Sequence, residues 1–130
     1  MKYLLDTNIV SYALRAEGNV IGHIGRHRRS ILAISVISLA ELRFGWQRSG
    51  SSKLRSAITE FCDTMTVLDF DRAAAESFAD LAADLVTRGT PIGTQDAMIA
   101  GHALAAKRTL VTHNTKHFSK VPGLKIEDWY

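Results

Sequence analysis

Lys2-Tyr3-Leu4-Leu5-Asp6-Thr7-Asn8 is a short apolar run stopped by three residues that favour helix N-termini. It reads as a buried strand that passes straight into a helix reaching about Ala16. Working outward, the same alternation recurs. A helix is expected from Asn19 to Arg28, a strand over Ile31–Ile34 and a helix over Val36–Arg48. Ser49-Gly50-Ser51-Ser52 is a loop, followed by a helix over Lys53–Asp63 and a strand over Thr66–Phe70. Asp71 has the place of an N-cap for a long helix, Arg72–Arg88. Gly89-Thr90-Pro91-Ile92-Gly93 breaks the chain before a helix from about Gln95 to Lys107, and strands follow at Thr109–Thr112 and Leu124–Ile126. Strands that alternate with helices imply an α/β fold: a three-layer α/β/α sandwich on a mainly parallel central sheet. With no repeat or linker, residues 1–130 read as a single domain. Sites in such sheets lie off the carboxyl ends of the strands. That rule points to Asp6, the turn after Ile34, Asp69–Asp71 and His113–Asn114.

The 130 residues are 46% hydrophobic and 22% charged, with two prolines and nine glycines, which separates the chain from disordered and collagen-like classes. The one cysteine, Cys62, has no internal partner, and no Cys/His zinc framework is present. The longest weakly polar run, Ile31–Ala40, is ten residues, whereas a membrane span needs about 20. No signal-peptide core follows Met1-Lys2. The expectation is a soluble cytoplasmic protein with no membrane partner. A net charge of +3 is mildly basic, and its distribution says more. Arg26-His27-Arg28-Arg29 forms one knot, and Lys107, Arg108, Lys116, Lys120 and Lys125 make the last quarter basic, with His113 and His117 interleaved. Solvated helix faces and nucleic-acid contacts both fit this pattern.

Three acids sit among apolar neighbours. Glu41 has Ile37 at i−4 and Phe44 at i+3; Asp96 has Ile99, Ala100 and Ala103 at i+3, i+4 and i+7; Asp6 closes an apolar strand. Capping accounts for Asp6 or Asp96 singly, but Glu41 lies mid-helix, where no free N–H groups remain. Ionised carboxylates in such places are costly unless a cation meets them, so three segments point to one shared cation. Oxygen ligands without cysteine favour Mg²⁺ or Mn²⁺, which leave room for phosphate oxygens. Phosphodiester hydrolysis is the matching chemistry.

The motifs fit a known family. Leu4-Leu5-Asp6-Thr7-Asn8-Ile9 resembles the opening motif of PIN-domain nucleases. Ser35-Val36-Ile37-Ser38-Leu39-Ala40-Glu41-Leu42 with Gly45 resembles their second acidic motif, and Pro91-Ile92-Gly93-Thr94-Gln95-Asp96-Ala97-Met98-Ile99-Ala100 the third. Leu110-Val111-Thr112-His113-Asn114, with Phe118, Val121-Pro122-Gly123-Leu124 and Glu127-Asp128-Trp129, is similar to the bacterial VapC toxin branch. The resemblance implies that Asp6, Glu41 and Asp96 are the catalytic and metal-binding acids, with Asp6 and Asp96 holding Mg²⁺ (Mn²⁺ substituting) and Glu41 positioning it. Asn114, which stands where many PIN domains carry a fourth acid, would join them in the catalytic set, and Thr7, Asn8 and Thr112 would line the site. Arg26, Arg28, Arg29, His113 and Lys116 are candidates for contacts with the RNA backbone.

The resemblance also implies an endoribonuclease toxin that cuts structured RNA, tRNA or rRNA, and stops translation. Its partners would be a cognate VapB-like antitoxin covering the active site, a second copy in a homodimer, and operator DNA reached only through the antitoxin. Two other readings compete. One is a catalytically inactive PIN fold that binds partners; the other is a phospho-accepting receiver-like domain, with Thr66–Asp71 as its acceptor strand. The pairs His23/His27 and His113/His117 have ligand spacing, but the first is set among arginines that repel a cation, and phosphate contact or ordinary surface suits these histidines better.

Overall fold

A computed structural model describes all 130 residues. Five strands form one entirely parallel sheet in the order β3-β2-β1-β4-β5. They are β1 (Tyr3–Leu5), β2 (Leu32–Ser35), β3 (Thr66–Leu68), β4 (Thr109–Val111) and β5 (Ile126–Glu127). Seven helices connect them: α1 (Thr7–Leu14), α2 (Val20–Gly25), α3 (Val36–Ser49), α4 (Ser52–Asp63), α5 (Arg72–Thr87), α6 (Thr94–Ala105) and α7 (Thr115–Phe118). No helix is long and apolar enough to cross a membrane.

Side chains of a strand alternate between the sheet's faces, and each face builds its own core. Tyr3, Leu5, Leu32, Ile34 and Val111 enter one core, beneath Ile9, Val10, Val20, Ile58 and Trp129. Leu4, Ala33 and Leu110 enter the other, against Leu81, Leu85, Ile99, Ala100 and Phe118. The second layer depends on Gly101. A Cβ there would stand 2.6 Å from the Phe78 nitrogen and 2.7 Å from its Cα, so α5 and α6 meet backbone to backbone.

The elements follow the sequence reading with shifted ends. The first helix stops at Leu14 rather than Ala16, because Ala16 turns to φ 53°. The second ends at Gly25, short of Arg28. Ile31 closes a 3₁₀ turn (Arg29–Ile31), so the second strand starts at Leu32 and runs through Ser35. The third stops at Leu68, two residues before Phe70. The last pairs through Ile126 and Glu127 instead of Leu124–Ile126. Asp71 caps α5 as expected, accepting from the Ala74 amide at 2.9 Å.

Chain order explains where a crevice opens. From the central β1 the chain steps outward to β2 and β3, then returns to β4 and β5 on the other side. That reversal separates the loops at the carboxyl ends of β1 and β4. Asp6 leaves β1 there, with its amide donating to the Val111 carbonyl at 3.0 Å.

Candidate active site

Asp6 is the N-cap of α1, its Oδ1 accepting from the Ile9 amide at 2.8 Å. Capping alone would leave an ordinary or lowered pKa. Instead the carboxyl is raised from 3.8 to about 6. Burial is the main cause; the Thr112 hydroxyl and the Ile9 amide pull the value down, while the charges of Asp96 and Glu41 push it up. Asp6 is therefore both a cap and a member of an acidic group. It is 7% exposed, which explains why its charge is costly.

Glu41 is held from the side by a hydroxyl relay. Thr7 Oγ1 lies 2.8 Å from Glu41 Oε1 and 2.9 Å from the buried Ser38 Oγ. Thr7 has one proton, which the carboxylate takes, so Ser38 donates to Thr7 in turn. Ser38 is thus a site residue that the motif reading passed over. Its signal was available: it precedes Glu41 by three residues on the same helical face. Phe44, placed on that face by helical periodicity, is instead 64% exposed. The core sides of α3 are Leu42, Leu39 and Trp46 against one layer and Ile37 against the other.

Asp96 lies in the first turn of α6, where the helix's positive end favours a carboxylate. Gly93, at φ 91°, holds the N-cap position, so Asp96 is not a cap. Its Oδ2 is 3.0 Å from His117 Nδ1, a partner the motif comparison did not supply. His113 faces elsewhere. It is 2.9 Å from Asp128 Oδ2 and stacks on Tyr130 at 4.1 Å. The two histidines therefore share no ligand. His23 and His27 also depart from ordinary surface, stacking on Trp129 at 5.3 and 4.7 Å.

The remaining residues divide by position. Thr112 is buried beside Asp6, and its Oγ1 accepts from the Asn114 amide at 3.0 Å. Asn8, Asn114 and Lys116 are exposed. Arg28 and Arg29 precede β2, so in an all-parallel sheet they lie at the end opposite Asp6; Arg26, at the close of α2, lies with them. Asp69 and Asp71 follow the edge strand β3, away from the central crevice.

No three His, Cys, Asp or Glu side chains are gathered tightly enough to enclose an ion. The donor set nevertheless fits a hard cation that keeps most of its water. Asp6 and Asp96 offer carboxylate oxygens, and burial first, then the charges of Asp96 and Glu41, make an ionised Asp6 costly without a cation beside it. A protein-enclosed zinc or calcium centre does not fit these residues.

The PIN domain family model matches residues 3–124. The tRNA(fMet)-specific endonuclease VapC of Salmonella typhimurium is 36% identical over 130 residues, covering 99% of this chain and 98% of that protein. DNA-bound VapBC from Salmonella typhimurium superposes with a TM-score of 0.91 at 34% identity, over 100% of this chain and 99% of that one. VapBC2 from Rickettsia felis, bound to a DNA fragment from its promoter, gives 0.88 at 33% identity over 100% of both chains. Both the motif order and the topology agree with these relatives, and the chain belongs to the PIN-domain family, within its VapC branch.

Proposed function

We propose that this protein is the ribonuclease toxin of a toxin–antitoxin pair, hydrolysing phosphodiester bonds of structured RNA with Mg²⁺ held by Asp6 and Asp96. The observation that carries this reading is the buried Asp6 carboxyl, raised to about 6 partly by the charges of Asp96 and Glu41 at the mouth of the central crevice. Mg²⁺, or Mn²⁺ in its place, supplies positive charge there that acidifies water and offsets charge on the reacting phosphate. Asp6 is fixed by the Ile9 amide and Asp96 by His117, so neither carboxylate has to be ordered when the ion enters. Glu41, oriented by Thr7, accepts a hydrogen bond from the attacking water and aims it. Asn114, exposed at the rim, contributes an amide without charge. The products carry a 5′-phosphate and a 3′-hydroxyl.

The substrate we favour is tRNA, as the name of the Salmonella relative suggests, and its loss arrests translation. The relatives solved as VapBC assemblies on DNA support an antitoxin partner; in our reading that antitoxin covers the crevice and brings operator DNA to a toxin homodimer. The cytoplasm is where such substrates and partners reside. The test is incubation of antitoxin-free protein with unfractionated tRNA and rRNA in Mg²⁺, with EDTA and Asp6→Asn as controls. Discrete fragments that vanish in both controls are expected, with end-mapping giving the chemistry. Fragments that persist in EDTA or in Asp6→Asn overturn the assignment, and intact RNA throughout favours the inactive partner-binding fold.

A further inference from the structure

The end of the sheet opposite Asp6 has its own chemistry. Four of the five strands are entered from a basic residue: Lys2 before β1, Arg29 three residues before β2, Arg108 before β4 and Lys125 before β5. Between β1, β4 and β5 three of them, Lys2, Arg108 and Lys125, line a cleft of about 550 Å³. Its walls include Lys2, Lys107, Arg108 and Lys125 over an apolar floor of Ala103 and Leu104, with no acid among the lining residues. Arg108 is already fixed, its Nη1 donating to the carbonyls of Tyr3 at 3.1 Å and Ile31 at 3.4 Å. Its other guanidinium N–H groups are held in place for an anion, with little side-chain entropy left to lose. The lysines are exposed, and a four-carbon stem lets each ammonium follow a polyanion backbone.

A second feature connects this cleft to the crevice. Because β4 and β5 are parallel, the segment between them must cross from the strand exits back to the strand entries. That crossover, residues 113–125, contains Lys116, Lys120 and Lys125 and no acidic residue. It begins beside Asn114 and ends in the cleft, where Gly123 and Lys125 form part of the wall. The two ends are roughly 13 Å apart along β1, about two nucleotide steps, with strand rise taken as 3.3 Å.

We propose that this cleft binds two or three backbone phosphates of the RNA substrate outside the cleavage site, with the basic β4–β5 crossover guiding the strand between them. The proposal rests on the ribonuclease reading for the identity of the polyanion. It names phosphate, not base, as the ligand, so the contact adds affinity for long structured RNA without sequence preference. Arg28 and Arg29, at the same end of the sheet, extend the surface toward β2.

The test uses the full chain carrying Lys2→Gln, Lys107→Gln and Lys125→Gln together; all three residues are exposed, so the fold should persist, as a thermal melt will check. Binding of unfractionated tRNA is measured in EDTA by fluorescence anisotropy across a salt series. Affinity should fall by about tenfold or more, and the slope of log K against log salt by about 2, as expected for lost phosphate contacts. Cleavage of a short single-stranded oligonucleotide should keep its kcat/KM while KM for tRNA rises. Lys53→Gln, Arg55→Gln and Arg72→Gln together are the matched control, and affinity there should hold within about twofold. An unchanged tRNA affinity and slope overturns the proposal, as does an equal fall in the control. Weakened binding of promoter DNA by the antitoxin complex, with RNA binding intact, also overturns it and reassigns the cleft to DNA. Cleft-dependent tRNA binding without cleavage in any metal would leave the cleft and remove the nuclease reading.

Discussion

Replacing Asp6 with asparagine should stabilise the metal-free protein at alkaline pH while abolishing its chemistry. The folded chain holds this carboxyl at about 6, against an ordinary 3.8. That difference corresponds to about 3 kcal/mol of cost to the charged form, mostly from burial. A raised acid is protonated in the fold before it is protonated in the unfolded chain. Its cost is therefore absent below an ordinary aspartate's pKa, grows as pH rises between the two values and is complete above the folded one. Asparagine keeps an acceptor for the Ile9 amide but loses the charge-assisted part of that bond, about 1 kcal/mol. The net gain at pH 8 is about 2 kcal/mol, or roughly 8 °C in Tm for a chain of this size. By about pH 4.5 the remaining charge cost is near 1 kcal/mol and the advantage vanishes. Circular dichroism melts in EDTA at the two pH values provide the assay. A variant that melts at or below the wild type at pH 8, or whose advantage is independent of pH, would refute the account of Asp6 as a buried, charge-strained acid.

Saturating Mg²⁺ should raise the wild-type Tm but not that of Asp6→Asn, since only the former gains a bound ion; equal shifts in differential scanning fluorimetry would contradict this. Glu41→Gln and Thr7→Val should each lower tRNA cleavage by about 10–100-fold with unchanged melting, because the first removes the carboxylate charge and the second its orientation; full activity in either would remove the relay from the mechanism. Gly101→Ala should destabilise by about 1–3 kcal/mol in urea titration despite a helix-propensity gain of about 1 kcal/mol, because its Cβ meets Phe78 backbone that cannot retreat. Trp129→Ala should cost about 3–5 kcal/mol by the same measurement, since it empties the position on which His23 and His27 stack and against which Tyr3 packs at 5.0 Å.

The local features of the fold were legible because they have local causes. The β1–Asp6–α1 transition, the Asp71 cap and the Gly89–Gly93 break are each decided within a few residues, and each is present. Strand ends were less legible: β3 lies at an edge with Thr66 exposed and only Val67 and Leu68 half-buried, so hydrophobicity does not say where pairing stops. Contacts across the chain left no periodic signal. His117 reaches Asp96 over 21 residues, and Thr7 reaches Ser38 over 31. The most consequential hidden property was polarity. Arg26, Arg28 and Arg29 read as candidates for contact with an RNA backbone, and strand direction places them at the end of the sheet far from the acids. Only a known topology separates an acidic exit from a basic entry.

The most direct test of the shared-cation claim is Mn²⁺ binding, followed by the loss of the free-ion electron paramagnetic resonance signal on titration. Wild-type protein should bind the ion, while Asp6→Asn and Asp96→Asn, folded by circular dichroism, should each leave it free. Equal binding by all three proteins would contradict the assignment of these carboxylates to one metal site.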